Sequence, residues 1–156
     1  MHLRSFFRPI KIIFEILLLS VISLNSIAQS NPDAILGKWM TVEGNLKVEV
    51  YKENDAFKAK ILWFDDSDDK AEPTNVRCDK KNPHEELRSR KIVGMEVMHG
   101  LIYNEDRDEW QHGWIYDSSS GKTWNSKAWL KDGRLKVRGF WNFEFLGQTM
   151  SFDKVP

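Results

Sequence analysis

Beyond its N-terminal segment, the chain alternates apolar and polar residues with a period of two. In LKVEVYK, Leu46, Val48 and Val50 fall on one face, and Lys47, Glu49 and Tyr51 on the other. In FKAKILWF, Phe57, Ala59, Ile61 and Trp63 oppose Lys58, Lys60 and Leu62. This is the period of a half-buried β-strand, and the intervening ENDA reads as a hairpin turn. The second half repeats the pattern. EWQHGWIYD sets Trp110, His112, Trp114 and Tyr116 on one face, and TWNSKAWL sets Trp124, Ser126, Ala128 and Leu130 on one face. RLKVRGFW sets Leu135, Val137 and Gly139 opposite Arg134, Lys136 and Arg138, and GQTMSFDKV carries Met150 and Phe152 on its apolar side. SSSGK and KDGR supply turns. With LGKWMT and KIVGMEVM, the count reaches about eight strands, and helical periodicity is scarce.

Short strands joined by tight turns predict an all-β antiparallel up-and-down meander. Closing it into a barrel removes the two bare edges that would otherwise invite aggregation. The exception is the stretch 65–90, which is long, charged and without strand pattern. Loops of that size in compact domains are usually lids or disordered. Within it, NPHEELRSR predicts a short helix near 82–90. Asn82 is a strong N-cap residue, Pro83 suits the first helical position, and Glu85 can reach back as in a capping box. Acidic residues start this segment and Arg88 and Arg90 end it, complementing the helix dipole, with Leu87 as the expected inward anchor.

The N-terminus follows a different rule. Arg4, Arg8 and Lys11 precede the apolar run 12–24, and small residues Ser26 and Ala28 follow. That order reads as a signal peptide over 1–28, shorter than the roughly 20 apolar residues of a membrane span. The expectation is an exported protein, periplasmic or extracellular, with no membrane span in the mature chain. Residues 29–156 then form one domain of about 130 residues, large enough to fold without disulfides. The single cysteine, Cys78, permits no internal disulfide. A formal net charge of zero gives no electrostatic footprint for nucleic acid.

Candidate chemistry is sparse. A Cys78–His84 pair lacks an orienting third group. DDSDD (65–69) lacks the spacing of a calcium loop, and the histidines lack zinc spacing, so neither a metal nor a cofactor is expected. The GKT at Gly121–Thr123 resembles part of a phosphate loop, yet Tyr116 stands where the earlier glycine belongs; a hairpin turn accounts for it. With no nucleophile, base and orienter together, catalytic residues are assigned to none and an enzyme is the less favoured reading.

Gly37 and Trp39 in GKW, near the first strand of an eight-strand meander, resemble the lipocalin and calycin signature. In that superfamily the tryptophan packs at the closed end beneath a basic side chain from the last strand, a place Lys154 can fill. Nearly the whole mature chain resembles the bacterial exported family known as domain of unknown function 2147. The resemblance rests on GKW, KILW, NPHEELRSRKIVGMEV (82–97), GWIYD with SGKTW (113–124), LKDGRLKVRGF (130–140) and LGQTMSF (146–152). It implies a lipocalin-like fold and export, and it assigns no activity. Ser118, Gln148 and the Phe152–Lys154 stretch depart from residues the family favours; if arginines at the end of the family's chains hold an anion, that role is weakened here.

An eight-strand barrel either fills its interior with side chains or holds one small ligand. Small residues at predicted inward positions, Ala59, Ser126, Ala128 and Gly139, leave room. Trp63, Trp114, Tyr116 and Trp124 are the candidate aromatic walls of a site. Asp79, Arg88 and Asp117 are its candidate polar groups, because loops at one barrel end converge. The expected function is therefore binding of a small hydrophobic or amphipathic ligand in or at the barrel mouth. The alternative is a ligand-free envelope module whose charged loop meets a partner protein.

Overall fold

The computed structural model describes residues 30–68 and 72–156. The segment 1–28 read as a signal peptide, and Asp69 of the acidic run, lie outside those residues. Eight strands follow in order: β1 (Gly37–Thr41), β2 (Leu46–Glu53), β3 (Ala56–Phe64), β4 (Glu96–Asn104), β5 (Glu109–Asp117), β6 (Lys122–Lys131), β7 (Arg134–Phe140) and β8 (Gln148–Val155). Each pairs antiparallel with its neighbours in sequence, and β1 also pairs with β8, from Lys38 opposite Val155 to Thr41 opposite Phe152. The expected up-and-down barrel is therefore closed.

Strict antiparallel order sorts the connections into two ends. One end holds the tight turns and a 3-10 turn, Pro32–Ile35, capped by the Asn31 side chain. Asn54 and Asp55 in the β2–β3 turn, and Asp132 and Gly133 in the β6–β7 turn, all have positive φ, as two-residue hairpins on twisted strands require. Two buried tryptophans join this end to the strands. The Trp39 indole N–H donates to the Ile35 carbonyl (2.8 Å), and that of Trp110 to the Pro32 carbonyl (3.1 Å). Phe57 meets Trp110 edge-on at 6.1 Å, and the Lys154 ammonium lies 5.3 Å from the Trp39 ring centre. The Gly37–Trp39–Lys154 arrangement is thus the one implied by the resemblance, and it closes the floor.

Period-two expectations hold for β2, β6 and β7 and fail where the ladder bulges. Between Trp110 and Gly113 the register shifts and His112 adopts φ 65°. The shift turns Trp114 outward and leaves His112 exposed, so the expected face of Trp110, His112, Trp114 and Tyr116 does not exist. Gly113 then passes so close to β4 that a Cβ there would lie 2.7 Å from Leu101 Cδ2. A second shift at Lys47/Val48 sends Trp63 to the exposed side, away from Phe57, Ala59 and Ile61.

The other end carries the long connections, including 65–95. This connection is not strand-free: Cys78 bridges Lys91, and Asp79 N–H and Ile92 N–H donate to the carbonyls of Arg90 and Arg77. The expected helix near 82–90 is a single 3-10 turn, Glu85–Leu87. Asn82 does not cap a helix; its side-chain Oδ1 accepts the His84 N–H (2.9 Å) in a local turn. Glu85 contacts Arg88 rather than the cap, Pro83 is exposed, and Leu87 is only half-buried. The reason is tertiary: Asn82 and Asp79 are drawn inward by polar bonds that a continuing helix would break.

The loop is seated on the β5–β6 turn. Lys81 Nζ donates to the Ser119 carbonyl at 2.6 Å, and a Cβ on Gly121 (φ 72°) would stand 2.0 Å from the Lys81 carbonyl oxygen. The GKT glycine is therefore a contact point for backbone. Gly44 shares its φ of 72° but has nothing within 4 Å of such a Cβ. Gly44→Ala is expected to cost only the positive-φ penalty, about 1 kcal/mol. Gly121→Ala is expected to cost roughly 2 kcal/mol more through the clash, a difference read from paired urea unfolding curves.

Candidate ligand-binding cavity

Above the tryptophan floor the inward side chains become small. Val48 and Val50 of β2, Ala59 and Ile61 of β3, and Val137 of β7 leave a cavity of about 700 Å³ that opens at the long-loop end. The interior is thus not filled by tryptophan: Trp39 and Trp110 stay on the floor, and the other indoles point elsewhere. Leu135, Phe152 and Met98 close the lower wall, while Ile92, brought in by the loop, covers one side of the opening. A space of this size with apolar walls falls in the range of small-molecule sites.

The opening has the opposite character. Asp65, Asp68, Glu72, Arg77, Lys80 and Lys81 form a collar of both signs, completed by Asp117, Ser118 and Ser119. Most of these charges are already tied together. Arg77 reaches Asp68 at 2.9 Å and the Glu72 carbonyl at 2.9 Å, and its guanidinium lies over the Phe64 ring. Lys80 pairs with Glu72. Asp66, outside the cavity lining, accepts the Thr74 N–H (2.7 Å) and hydroxyl (2.8 Å), bonds that hold its carboxyl below the usual carboxylate range. Asp65, Asp66 and Asp68 therefore direct carboxylate oxygens to bonds within the loop. Among the described residues, no group of three His, Cys, Asp or Glu side chains is arranged to hold a metal ion. The Cys78 thiol, half-buried, lines the cavity and donates to the Val76 carbonyl.

Asp79 sits beside this opening and is completely buried. One carboxylate oxygen accepts the Tyr116 hydroxyl (2.8 Å); the other accepts the Asn82 amide (2.7 Å) and the Arg90 guanidinium (3.0 Å). A buried carboxylate is tolerated only when paired and hydrogen-bonded this fully. Burial, then the Asp79 hydrogen bond and charge, push the Tyr116 phenol up to about 12. The phenol therefore stays protonated and donating through the neutral range. This cluster fastens the loop across the opening, since Asp79, Asn82 and Arg90 belong to the loop and Tyr116 to β5.

The residues expected at the site divide accordingly. Tyr116 and Asp117 line the opening. Asp117 is held low despite its burial by bonds from the Ser120 and Ser119 hydroxyls, which order the β5–β6 turn. Asp79 braces the loop instead of lining the cavity. Arg88 lies outside it, closing the 3-10 turn through its bond to the Asn82 carbonyl (2.9 Å). Trp63 faces solvent because of the β2–β3 bulge. Trp114 stacks on His99 on the outer wall (4.8 Å), and Trp124 packs edge-on against Trp141 (5.9 Å) at the rim, the three indoles flanking a shallow external cleft. Arg90, Ile92 and Met95 were not anticipated. Ile92 and Met95 join Ile61 in a second buried cluster beneath the loop; KIVGMEVM reads as a strand, yet the chain enters β4 only at Glu96, so these two apolar residues belong to the loop.

Replacing Asp79 by Asn removes the charge while keeping its shape. Arg90 is partly exposed and regains water, so the expected loss is near the lower end for a broken buried pair, about 2 kcal/mol. It is measurable as a lower urea midpoint with faster trypsin cleavage at Arg77 to Arg90. Tyr116 has a folded pKa raised above its ordinary value of 10.0 to about 12. Its contribution is complete below pH 10 and is lost as pH rises through that window. Tyr51, raised to about 12 by burial and by Glu96, adds to the same decline. Tyr116→Phe is expected to remove part, not all, of the stability loss in an alkaline series of unfolding curves.

Comparison with known proteins agrees with this architecture. No curated protein matches the sequence significantly. A solved structure described as "Protein HP1028 from the human pathogen Helicobacter pylori belongs to the lipocalin family" superposes with a TM-score of 0.66 at 20% identity. The match covers 78% of this chain and 83% of that one. At that identity the likeness concerns the fold: a closed lipocalin-like barrel. The family model described as "Uncharacterized protein conserved in bacteria (DUF2147)" matches residues 37–154, from the start of β1 nearly to the end of β8. With nearly its whole barrel spanned by that match, this chain belongs to the DUF2147 family.

Proposed function

We propose that this protein is an exported carrier or sensor that takes one small hydrophobic or amphipathic molecule into the barrel. The observation that carries the reading is the 700 Å³ cavity, apolar in its depth and charged at its collar. An apolar tail would occupy the space beside Val48, Val50, Ala59, Ile61 and Val137, where water gains little. A polar head would remain among Ser118, Ser119 and the collar charges. The neighbour's description as a lipocalin supports a ligand-holding barrel by analogy of fold alone. Export is supported by the order of basic, apolar and small residues in 4–28.

The Asp79 cluster gives such a carrier a defined entrance. The loop 72–95 covers one side of the opening and is anchored at Asp79, at the Cys78–Lys91 bridge and at Lys81. Ligand entry would pass between this loop and the β1–β2 turn, where Asn45 and Leu46 line the cavity. The role of Asp79 and Tyr116 is then positional. Asp79 would set the width of the entrance from behind, while Tyr116 would also form part of its lining.

The test is occupancy. Anilinonaphthalene sulfonate, an amphipathic fluorescent probe, is expected to bind stoichiometrically and to be displaced by a long-chain fatty acid. Ala59→Trp and Val137→Trp each fill the space and should weaken probe binding by about tenfold or more, while unfolding stays cooperative. Equal binding by both folded variants would place the probe outside the barrel and refute the carrier reading.

A further inference from the structure

The most exposed apolar residues of the described chain gather in one place, the β7–β8 connection WNFEFLG. Trp141 is 62% exposed, Phe143 58%, Phe145 77% and Leu146 72%. Solitary exposed apolar side chains are ordinary; four within six residues mark an interaction site. By the antiparallel order this connection lies at the same end as the cavity opening. Met150, a few residues into β8, both lines the cavity and is exposed, which places apolar surface at the opening on the strand that follows the tip.

The tip is built to display these side chains. The 3-10 turn Glu144–Leu146 is closed by bonds from Leu146 N–H to the Phe143 carbonyl and from Gly147 N–H to the Glu144 carbonyl. Arg138 Nε grips the Glu144 carbonyl at 2.7 Å, and the Asn125 amide donates to the Trp141 carbonyl at 2.7 Å. Gly147 is pressed against β7, where a Cβ would meet the Gly139 carbonyl at 2.4 Å. The one acidic side chain in the tip, Glu144, turns back to the barrel wall and pairs with Lys127 at 2.8 Å. The tip thus presents aromatic and leucine surface, with its one carboxylate paired to a lysine that Glu109 shares at 3.3 Å.

We infer that this tip docks the barrel mouth onto a lipid bilayer, so that the cavity exchanges its occupant directly with the membrane. Aromatic side chains favour the headgroup–acyl boundary, and insertion of a convex apolar loop needs no matching groove. A second copy is a poorer occupant. Four partly exposed side chains offer about 500 Å², short of the roughly 800 Å² per partner of a stable interface. Docking stands on the tip alone; the exchange rests on the carrier reading.

The experiment is flotation of the purified protein with vesicles of phosphatidylethanolamine and phosphatidylglycerol, and with phosphatidylcholine vesicles at high salt. Wild type is expected to float with both, because insertion is apolar rather than ionic. The double variant Phe145→Ser with Leu146→Ser changes only exposed positions, and is expected to lose vesicle affinity by about tenfold or more. Its urea unfolding and its binding of anilinonaphthalene sulfonate without vesicles should match wild type. The inference is overturned if wild type stays with the aqueous fraction, if the double variant floats equally well, or if light scattering finds a dimer that the double variant dissolves. A wild type that floats but takes no probe into its cavity would sink the carrier reading and leave the docking tip standing.

Discussion

The pairing of β1 with β8 is the contact on which the rest of the molecule depends. Four residue pairs, Lys38–Val155 to Thr41–Phe152, turn an eight-stranded meander into a closed wall. Without them both terminal strands would present bare backbone, and the interior would be open to water along its whole length. Closure also fixes the interior width, because eight strands admit either packed side chains or one small occupant. The same seam brings Lys154 beside Trp39 and Trp39 beneath Ile35, so sealing the wall and sealing the floor are coupled.

With the floor taken by Trp39, Trp110 and Phe57, the side chains above it decide what the barrel is for. They are valine, alanine and isoleucine, and the space they leave is a consequence of their size. The charged loop acts as a partial roof. Its stability comes from a buried carboxylate whose partners lie on both sides of the roof-to-wall junction, and from backbone contact with Gly121. Arranged this way, loop charges compensate one another locally and little net field is left at the opening. An amphipathic occupant is consistent with that balance.

The outer surface follows another logic. Trp114, Trp124 and Trp141, two of them candidate walls of an internal site, collect at the rim and outer wall. The β7–β8 tip adds phenylalanine and leucine beside them. The barrel thus carries apolar surface in two places, inside the cavity and at one lip.

How far the sequence reached depends on whether local chemistry or distant neighbours set each residue. Alternation along Leu46–Val50, Ser126–Leu130 and Leu135–Gly139 is a property of the strand itself, so strand identity and barrel class were legible, while the Gly37–Trp39–Lys154 floor was legible only through the resemblance to the lipocalin signature. Positive-φ hairpins at Asn54–Asp55 and Asp132–Gly133 were legible as turns for the same reason. The bulges at Lys47/Val48 and Trp110/Gly113 were not, because a bulge is a mismatch between two strands and leaves no mark on either alone. Each one moved a candidate tryptophan, Trp63 or Trp114, to the opposite face. Asn82, Pro83 and Glu85 have the local chemistry of a helix start, yet the buried bonds of Asp79 with Tyr116 and Arg90 outweigh it. By itself, then, the sequence determined most of the strands and the small inward residues, which rest on local periodicity, and it favoured closure because an open meander would leave two bare edges. Only the tertiary structure decided which aromatics face the cavity and what pins its roof, since those rest on register and on pairs separated by 11 and 37 positions along the chain.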